Sequence, residues 1–540
     1  MITIAAPPED AYRLAGIRHF IETSGIPATL NQHGDLPTCI RFGNGMGADF
    51  LIRIAARDEQ GRIAGQVRAF GSEAPVFEIP DNTGDGDEIQ GYFEGSGESN
   101  PCITLSRNTI TIGFDIFREI GFLLSGYMES IWSDLSEIEK KRIAATPILD
   151  IYEEILFKTI LLGCRQIGIP LVRKSYWPDG KRFAVCLTHD VDELKKTYQW
   201  ITRPIKSLKK GDIEGVKNQF ASFSQKIKGI EPYWTFEEII RINKHYGITS
   251  TFFFLKESAR TEILSPETWH HCARCRDLSS PETIALMRKL AAEGNEVGLH
   301  GSFYSYNNPE LLRSEKEELE RVSGGPVEGI RQHHLNLDIP ATWQHQEDVG
   351  LLYDTSLGFK DRPGFRFGTC FPFHPVANGS PLKLFEIPLA IMDITLHGRS
   401  DRWDECSRII DAVESHQGVL TLLWHPPVFN ALEYPEDAEM YEKILTDCRQ
   451  KSAWIAGAGE IARWWRSRET GRLIYTREND LLKIVLDGGD PRQEIEVYLP
   501  EDTAITILSG NADILDEMNG RVRIRMHEHS RQKEILLRTG

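Results

Sequence analysis

Between Phe183 and Arg466, short apolar runs alternate with helical ones, and this alternation restricts the possible fold more than any other feature. The runs are FAVCL, TSTFFFL, NEVGLH, VEGIRQHH, LFEIPLA, GVLTLLWH and SAWIAG. Runs this short and rich in β-branched or aromatic residues are typical of strands buried on both faces of a parallel sheet. Because helical segments separate them, we expect a parallel α/β sheet that is either open or closed into a barrel.

Two regions of different character flank this predicted sheet. Residues 1–175 combine strand-like DFLIRIAA and CITLSRNTITIGF with helical FDIFREIGFLLSGYMES and PILDIYEEILFKTILLGCRQIG, which predicts an N-terminal α/β domain of unknown role. Residues 470–540 contain short alternating runs such as LLKIVLD and EIEVYLP, which predict a small C-terminal antiparallel β domain. With residues 181–466 between them, we expect three domains, as the length of 540 residues suggests.

The composition and charge exclude several classes of protein. The chain is 41% hydrophobic and 26% charged, and its formal net charge of −17 argues against nucleic acid as a main partner. The sequence shows no basic start followed by an apolar segment and no apolar run long enough to span a bilayer. Nine cysteines without regular spacing favour a reducing compartment. We therefore expect a cytoplasmic protein with no membrane span, whose oligomeric state the sequence leaves open.

One segment reverses the charge of the chain. Between residues 195 and 228, nine Lys or Arg residues face only Asp212 and Glu214, which gives a net charge of +7. The pattern favours a solvated helical insertion with turns at Gly211 and Gly215. The alternative is a surface that attracts an anionic substrate.

The sequence THDVD directly after the first buried run places two carboxylates close together. In extended backbone, the side chains of Asp190 and Asp192 point the same way, while His189 points the other way. A divalent cation removes the repulsion between two such carboxylates and leaves one of them as a base. An equally good interpretation is that Asp192 is the N-cap of a helix beginning at ELKK.

Other predicted strands also end in side chains that can take part in chemistry. Because the carboxyl ends of parallel strands meet at one edge of a sheet, we expect these side chains to converge. They are His300 after EVGL, Arg331, His333 and His334 in GIRQHH, Asp354 in YDTS, and His425 in LLWHPP.

The order of these motifs resembles that of the polysaccharide deacetylases, the NodB-homology domain of carbohydrate esterase family 4. That family has T-F-D-D-G, H-[ST]-x-x-H, R-x-x-P-Y, an Asp-bearing segment and a late L-x-H in this order. THDVD and the segments around His300, Arg331, Asp354 and His425 match them in order. The resemblance covers residues 181–466 and implies a deacetylase-like distorted (β/α) barrel. Each motif is weak alone, but five in order are specific.

The resemblance implies a role for each matching residue. It makes Asp190 the catalytic base, Asp192 a metal-binding carboxylate and His300 the first metal histidine. It makes Arg331 the residue that orients the base and His425 the general acid. We expect contacts with the substrate from Asp354, Tyr304 and Trp424.

The chain departs from the family pattern at the metal site. Tyr304 stands where the family has its second histidine, and His333 and His334 replace Pro-Tyr. Asp192 and His300 alone would leave a metal with too few ligands, because catalytic zinc sites use three protein ligands and an open position.

We predict that His333 supplies the third ligand, because in an extended strand it shares a side with Arg331. A bulge would exchange it for His334. Tyr304 as a phenolate is disfavoured by a normal pKa near 10. The remaining possibility is that the chain has lost its metal.

Together these patterns predict a metal-dependent hydrolase that removes an acetyl group from an N-acetylated sugar, either a polysaccharide or a sugar precursor. The expected cofactor is zinc, and the ligands would also accept manganese or cobalt. The alternatives are an inactive glycan-binding relative in polysaccharide assembly and a hydrolase of a small cyclic amide, as in the allantoinase-like branch.

One further stretch carries possible metal ligands. WHHCARC contains His270, His271, Cys272 and Cys275. A lone C-x-x-C without a second pair is weak evidence for a structural zinc site.

Overall fold

The structure is a computed structural model that describes residues 2–32, 38–43, 49–55, 63–84, 86–95, 97–257, 278–377, 379–500, 503–527 and 532–540. The WHHCARC stretch, with its weak signal for a zinc site, lies outside the described residues. Within the described ranges, no helix combines the length and the apolar character needed to cross a membrane.

The N-terminal region is a mixed sheet covered by helices. Its strands are β1 (Ile2–Ala6), β2 (Ala28–Gln32), β3 (Cys39–Gly43), β4 (Asp49–Ile54), β5 (Gly65–Ala69), β6 (Ser72–Val76), β7 (Glu88–Gly95), β8 (Glu98–Ser106) and β9 (Thr109–Ile112). Its helices are α1 (Ala11–Ser24), α2 (Ile116–Leu124), α3 (Tyr127–Ile131), α4 (Glu137–Ala144) and α5 (Ile148–Gln166). The strand order is β2-β1-β3-β4-β9-β8-β7-β5-β6, with β1/β2 and β4/β9 parallel. The predicted α/β character of this region is confirmed.

Two glycines explain how closely α1 and α2 pack. A Cβ on Gly16 would lie 1.9 Å from the carbonyl oxygen of Phe117, and a Cβ on Gly121 would lie 2.0 Å from that of Tyr12. Because only glycine lacks a Cβ, the two backbones can approach to this distance only at these positions.

The middle region contains the parallel sheet that the sequence predicts. A short strand, β10 (Leu171–Lys174), precedes it. The strands that follow are β11 (Ala184–Val191), β12 (Thr251–Leu255), β13 (Glu296–Gly301), β14 (Gly329–Gln332), β15 (Tyr353–Asp354), β16 (Val376–Ala377), β17 (Ser380–Pro381), β18 (Phe385–Glu386), β19 (Ile391–Met392), β20 (Val419–Leu423) and β21 (Trp454–Gly457). The helices are α6 (Gln199–Lys210), α7 (Ile213–Ile227), α8 (Phe236–Tyr246), α9 (Pro281–Ala292), α10 (Pro309–Ser323), α11 (Ala341–Asp348), α12 (Asp393–Leu396), α13 (Arg402–His416), α14 (Pro435–Gln450) and α15 (Ala458–Thr470).

The order in this sheet is β18-β15-β14-β13-β12-β11-β20-β19, with β21 also pairing with β11, and the paired strands are parallel. Every residue of β11 and β12 is buried, as expected for central strands covered on both faces.

The sheet curls because its two end strands are consecutive in the chain. The four residues 387–390 join β18 at one end of the sheet to β19 at the other. Within this link, the amide of Ile387 donates to the carbonyl oxygen of Asp354 at 2.9 Å, and the amide of Ala390 donates to that of Thr421 at 3.1 Å. The link thereby connects both edges and brings the carboxyl ends of the strands around one opening.

The C-terminal region consists of antiparallel strands around its own apolar core. Its strands are β22 (Arg472–Glu478), β23 (Leu481–Asp487), β24 (Glu494–Tyr498), β25 (Ile505–Ser509), β26 (Ala512–Met518), β27 (Arg521–Met526) and β28 (Gln532–Thr539). They form two sheets, β22-β23-β28-β25 and β10-β24-β27-β26. One strand of the second sheet, β10, precedes the parallel sheet in the chain. It belongs to residues 1–175, which we assigned to the N-terminal domain, but it pairs with the C-terminal strands.

The N-terminal region and the middle region meet around Arg468 on α15. This buried guanidinium donates to the backbone carbonyl oxygens of Ser175 (2.9 Å), Glu22 (2.8 Å) and Thr23 (2.9 Å). The N-terminal region and the curled sheet also share one continuous apolar core, whereas the C-terminal strands have a separate one. We call the surroundings of Arg468 the junction.

The basic segment forms a helical hairpin of α6 and α7, as the charge pattern favours. Gly211, with a φ of 70°, ends α6, and Asp212 caps α7 by accepting a hydrogen bond from the Gly215 amide at 2.8 Å. Gly215 therefore lies in the first turn of α7, and the prediction that it marks a turn between helices is wrong.

Candidate active site

The two carboxylates of THDVD lie at the carboxyl end of β11. Pairing with β12 keeps the strand extended through Val191, which pairs with Phe254. Asp190 is in the strand and Asp192 directly follows it. The next helix begins only at Gln199, so the interpretation of Asp192 as an N-cap is wrong.

His300 at the end of β13 and His333 after β14 lie beside Asp192. The Nε2 atom of His300 is 3.1 Å from Oδ1 of Asp192, and Nε2 of His333 is 4.0 Å from the same oxygen. One ligand atom from each of the three residues lies within 4.8 Å of the others. We call Asp192, His300 and His333 the strand-end triad.

The other ring nitrogen of each histidine has a partner that fixes the ring. Nδ1 of His300 lies 2.8 Å from the carbonyl oxygen of Arg331, and Nδ1 of His333 lies 3.0 Å from Oε2 of Glu257. Such partners set the tautomer and leave Nε2 as the nitrogen that can bind a cation. The triad therefore has the donor atoms and the support that a zinc site requires.

The choice between His333 and His334 follows from how β14 ends. The strand stops at Gln332, and His333 begins a 3₁₀ turn in which His334 has a φ of 60°. This turn, rather than continued extended backbone, directs His333 towards Asp192 and leaves His334 exposed with its ring near Phe303. Tyr304 is outside the triad and is about half exposed to solvent.

Arg331 on β14 positions Asp190 on β11, although β13 and β12 lie between these strands in the sheet. Its Nη1 atom lies 3.4 Å from Oδ1 of Asp190 and 2.9 Å from the hydroxyl of Thr188. Its other nitrogens donate to the carbonyl oxygen and the hydroxyl of Thr355 at 2.9 and 3.0 Å. Four contacts hold this buried guanidinium rigid, so the Asp190 carboxylate has a defined orientation. The other Asp190 oxygen lies 3.6 Å from Nε2 of His300.

His425 follows β20 and is paired with Asp393. Its Nδ1 lies 2.9 Å from Oδ1 of Asp393, and its backbone amide donates to Oδ2 at 2.8 Å. Burial lowers the pKa of His425, but the charges of Asp393, Asp192 and Asp190 outweigh burial and raise the pKa to about 9. The imidazole is therefore protonated at neutral pH, and Nε2 carries a proton that it can donate.

His189, which directly precedes Asp190, has a structural role. Its Nδ1 lies 2.7 Å from the carbonyl oxygen of Trp424, and its ring packs against Phe252 and Tyr441. Burial lowers its pKa to about 4, so it is neutral at physiological pH.

The residues expected to contact substrate lie in different surroundings. Asp354 is fully buried, accepts a hydrogen bond from Ser356 and shares a buried site with Glu386, whose pKa burial and Asp354 raise well above its usual value. Trp424 is buried as well and donates to the carbonyl oxygen of Asp437. Neither side chain reaches the surface, so a direct substrate contact is not available to them. Tyr304, 49% exposed, is the residue of this set that solvent reaches.

A cleft of about 470 Å³ opens over the carboxyl ends of the strands. Asp190, Asp192 and His425 line it, and α6 adds Arg203 and Lys206. The guanidinium of Arg203 lies over the ring of Tyr434 at 5.3 Å. Within the part of the chain that the structure describes, no carboxylate lies within 4.0 Å of either cation. The basic hairpin thus gives the cleft a positively charged wall.

Comparisons with known proteins find similarity only at the level of structure. Neither protein-family models nor curated proteins match the chain. A solved structure from Mycobacterium smegmatis, assigned as a polysaccharide deacetylase, is 18% identical with a TM-score of 0.37 and covers 57% of this chain and 98% of its own. The Puue allantoinase is 15% identical with a TM-score of 0.35 and covers 54% of this chain and 93% of its own.

A third similar structure is a carbohydrate esterase family 4 pseudoenzyme from Bacillus anthracis. It is 12% identical with a TM-score of 0.26 and covers 52% of this chain and 66% of its own. Active and inactive proteins thus occur among the structural neighbours. At these scores the matches carry no argument on activity, which depends on the geometry of the site.

Two residues of the site lacked an assigned role in the sequence. Glu257 supports His333 and lies two residues after β12, and Asp393 supports His425 and directly follows β19. Both are polar residues just after strand ends, which is the signal that led to the other site residues. Arg203 and Lys206 come from the basic segment, for which the sequence favoured a solvated surface.

Proposed function

We propose that this protein is a metal-dependent hydrolase that removes an acetyl group from an N-acetylated sugar. The observation that carries the proposal is the convergence of Asp190, Asp192 and His425 at one cleft, with His300 and His333 grouped around Asp192 behind it. Hydrolysis of an amide requires a polarised carbonyl, a base for water and an acid for the leaving amine. Each requirement has a candidate group among these residues.

The strand-end triad fits a divalent cation because it offers two imidazole nitrogens and one carboxylate, the donors that zinc commonly takes in catalytic sites. The same donors accept manganese or cobalt. When bound there, such an ion lowers the pKa of water and polarises a carbonyl oxygen.

Asp190 is the proposed base, since its carboxylate lies next to the triad and Arg331 holds it in one orientation. It takes a proton from the attacking water. His425 is the proposed acid, because Asp393 holds its ring and keeps it protonated at neutral pH. His425 donates the proton on its Nε2 to the departing amine. Until that transfer, the Asp393 carboxylate stabilises the positively charged ring.

Arg203 and Lys206 support a substrate that carries a negative charge, such as a sugar phosphate or a nucleotide-linked or lipid-linked precursor. These two cations form a positively charged wall of the cleft, and no carboxylate of the described residues lies within 4.0 Å of either, so the wall attracts an anionic group on the substrate. A precursor also fits the cytoplasmic location that the cysteine content suggests, where an extracellular polymer is absent.

The test is acetate release by protein that has been stripped of metal and reloaded with zinc. We expect release from N-acetylglucosamine 1-phosphate, and release about 10²- to 10⁴-fold slower by Asp190→Asn protein that has retained its zinc. Opening of a cyclic amide without acetate release would identify the other kind of amide hydrolase. Tight sugar binding without any turnover by the zinc-loaded protein would identify a glycan-binding relative.

A further inference from the structure

The hairpin of α6 and α7 exposes an unusual amount of apolar surface. Eight of the nineteen exposed large apolar side chains among the described residues lie between residues 201 and 230. They are 47–74% exposed and comprise Ile201, Ile205, Leu208, Ile213, Phe220, Phe223, Ile227 and Ile230. Single exposed apolar residues are common, but a contiguous group of this size marks an interaction surface.

The exposed side chains form a stripe along each helix. On α6, Ile201, Ile205 and Leu208 follow the i, i+4, i+7 spacing of one helical face. On α7, Ile213 and Phe220 are seven residues apart, and Ile227 lies a further seven along. The hairpin therefore presents two apolar faces to solvent, and we call them together the hairpin stripe.

The opposite face of α7 is polar and is hydrogen-bonded to other residues of the middle region. Gln219 and Ser222 are buried and bond to Glu433, which also pairs with Lys196 at 2.7 Å. Gln225 accepts a hydrogen bond from Asn430 at 3.0 Å. A surface helix normally buries its apolar face. Here the polar contacts fix the reverse orientation, so the stripe cannot turn inwards without breaking them.

Lysines are interspersed with the exposed apolar residues. Lys209, Lys217 and Lys228 have no carboxylate within 4.0 Å among the described residues, while Lys226 pairs with Glu231. This cationic surface belongs to a chain with a net charge of −17. The core of a protein interface is depleted of lysine. Lysines beside an apolar helical face instead reach the headgroups of an anionic membrane while the apolar side chains enter the acyl boundary.

We propose that the hairpin stripe docks this protein on the surface of an anionic lipid bilayer. Arg203 and Lys206 on α6 line the cleft while Ile201 and Ile205 face outward. Docking through the hairpin stripe therefore leaves Arg203 and Lys206 directed into the cleft rather than into the lipid. The proposal does not depend on the reaction that the site performs.

The test is co-sedimentation of the full chain with vesicles of phosphatidylcholine alone or mixed with phosphatidylglycerol. We expect binding to the mixed vesicles that falls at high salt, and at least about tenfold weaker binding of a Phe220→Ser, Phe223→Ser, Ile227→Ser variant. A variant with Lys209, Lys217 and Lys228 changed to Glu tests the charge separately, with a similar expected loss.

Ile138→Ser is the matched control, since Ile138 is at least as exposed but lies on α4. It should bind as the unchanged protein does. Failure of the unchanged protein to bind mixed vesicles overturns the proposal. Concentration-dependent self-association that the Phe220→Ser, Phe223→Ser, Ile227→Ser variant abolishes also overturns it, because the stripe would then contact a second copy of the chain.

Discussion

Among the residues that the structure describes, two groups of side chains each bring three possible metal ligands within 4.8 Å of one another, and their surroundings differ. The first is the strand-end triad of Asp192, His300 and His333. The second lies at the junction and consists of Glu22, His374 and Glu469, which we call the junction triad. The comparison shows what a set of ligands needs besides proximity.

The histidines of the strand-end triad are buried and supported, and Asp192 is partly buried. Its two histidines are 2% and 3% exposed, and each Nδ1 has a partner. Burial lowers the pKa of His300, but Asp190 and Asp192 outweigh burial and raise it. This negative potential also attracts a cation, which replaces the proton on Nε2.

The junction triad has one histidine, and its Glu469 is 34% exposed. Burial raises the pKa of Glu22 to about 7, so this side chain is partly protonated at neutral pH. Protons compete with a cation for such a ligand. The junction triad brings together side chains from α1, from α15 and from the segment before β16, whereas the strand-end triad results from strand ends that meet at one edge. We therefore expect the metal at the strand ends.

The largest effect is expected from His300→Ala. Loss of a buried ligand leaves two protein ligands, so bound zinc and hydrolysis should both fall to background. His374→Ala is the matched control, because the Nδ1 atom of His374 also lies near a backbone carbonyl oxygen, that of Leu384 at 3.1 Å. Elemental analysis after dialysis measures the zinc. If His300→Ala keeps its zinc and His374→Ala loses it, the metal binds at the junction triad and not at the strand-end triad.

Asp190→Asn separates catalysis from metal binding. An amide keeps the shape of the carboxylate but cannot accept a proton, so the rate should fall by about 10²- to 10⁴-fold. The zinc content should stay at the level of the unchanged protein. If the variant loses its zinc, the roles of Asp190 and Asp192 have been exchanged.

Glu257→Gln tests the support behind the triad. The change weakens the partner of His333 Nδ1 and should lower zinc affinity by about 10- to 100-fold. Glu469→Gln alters the exposed ligand of the junction triad and should leave the affinity unchanged. A competition titration with a zinc chelator measures both. Equal effects of the two changes would mean that both triads take part in binding.

The smallest expected effect is a shift of the pH profile in Asp393→Asn. His425 acts in its protonated form, which is lost as the pH rises through a pKa of about 9. A bound cation offsets Asp190 and Asp192, so the alkaline limb of log kcat should lie at or below pH 9. Removing the Asp393 charge should move this limb down by about one unit or more. If the alkaline limb stays at the same pH in Asp393→Asn, the titration of His425 does not cause that limb.

Much of the fold was accessible from the sequence because it depends on local patterns. Buried runs such as those of β11 and β12 predicted the parallel sheet, and the pattern of α5 predicted its helix to within a few residues. The pairing of β10 with the C-terminal strands could not be predicted. Val172 and its partner Val497 are separated in the sequence by all the strands of the curled sheet. Nothing local in either strand specifies that partner.

The candidate site was accessible in part for the same reason. Asp190, Asp192 and His300 follow from the ends of strands, whereas the position of His333 depends on a turn at His334 that the sequence did not reveal. Burial of Asp354 and Trp424 depends on layers of packing around the sheet. The contribution of Arg203 to the cleft depends on how the α6–α7 hairpin folds back, which its charge pattern alone does not determine.

The most direct test of the central claim is a crystal structure of the protein grown with zinc, with the ion located by its anomalous scattering. The account predicts an ion bound by Asp192, His300 and His333, with nitrogen distances of about 2.0 to 2.1 Å. An ion at Glu22, His374 and Glu469 with none at the strand ends would contradict it. So would a well-ordered strand-end triad that stays empty at millimolar zinc.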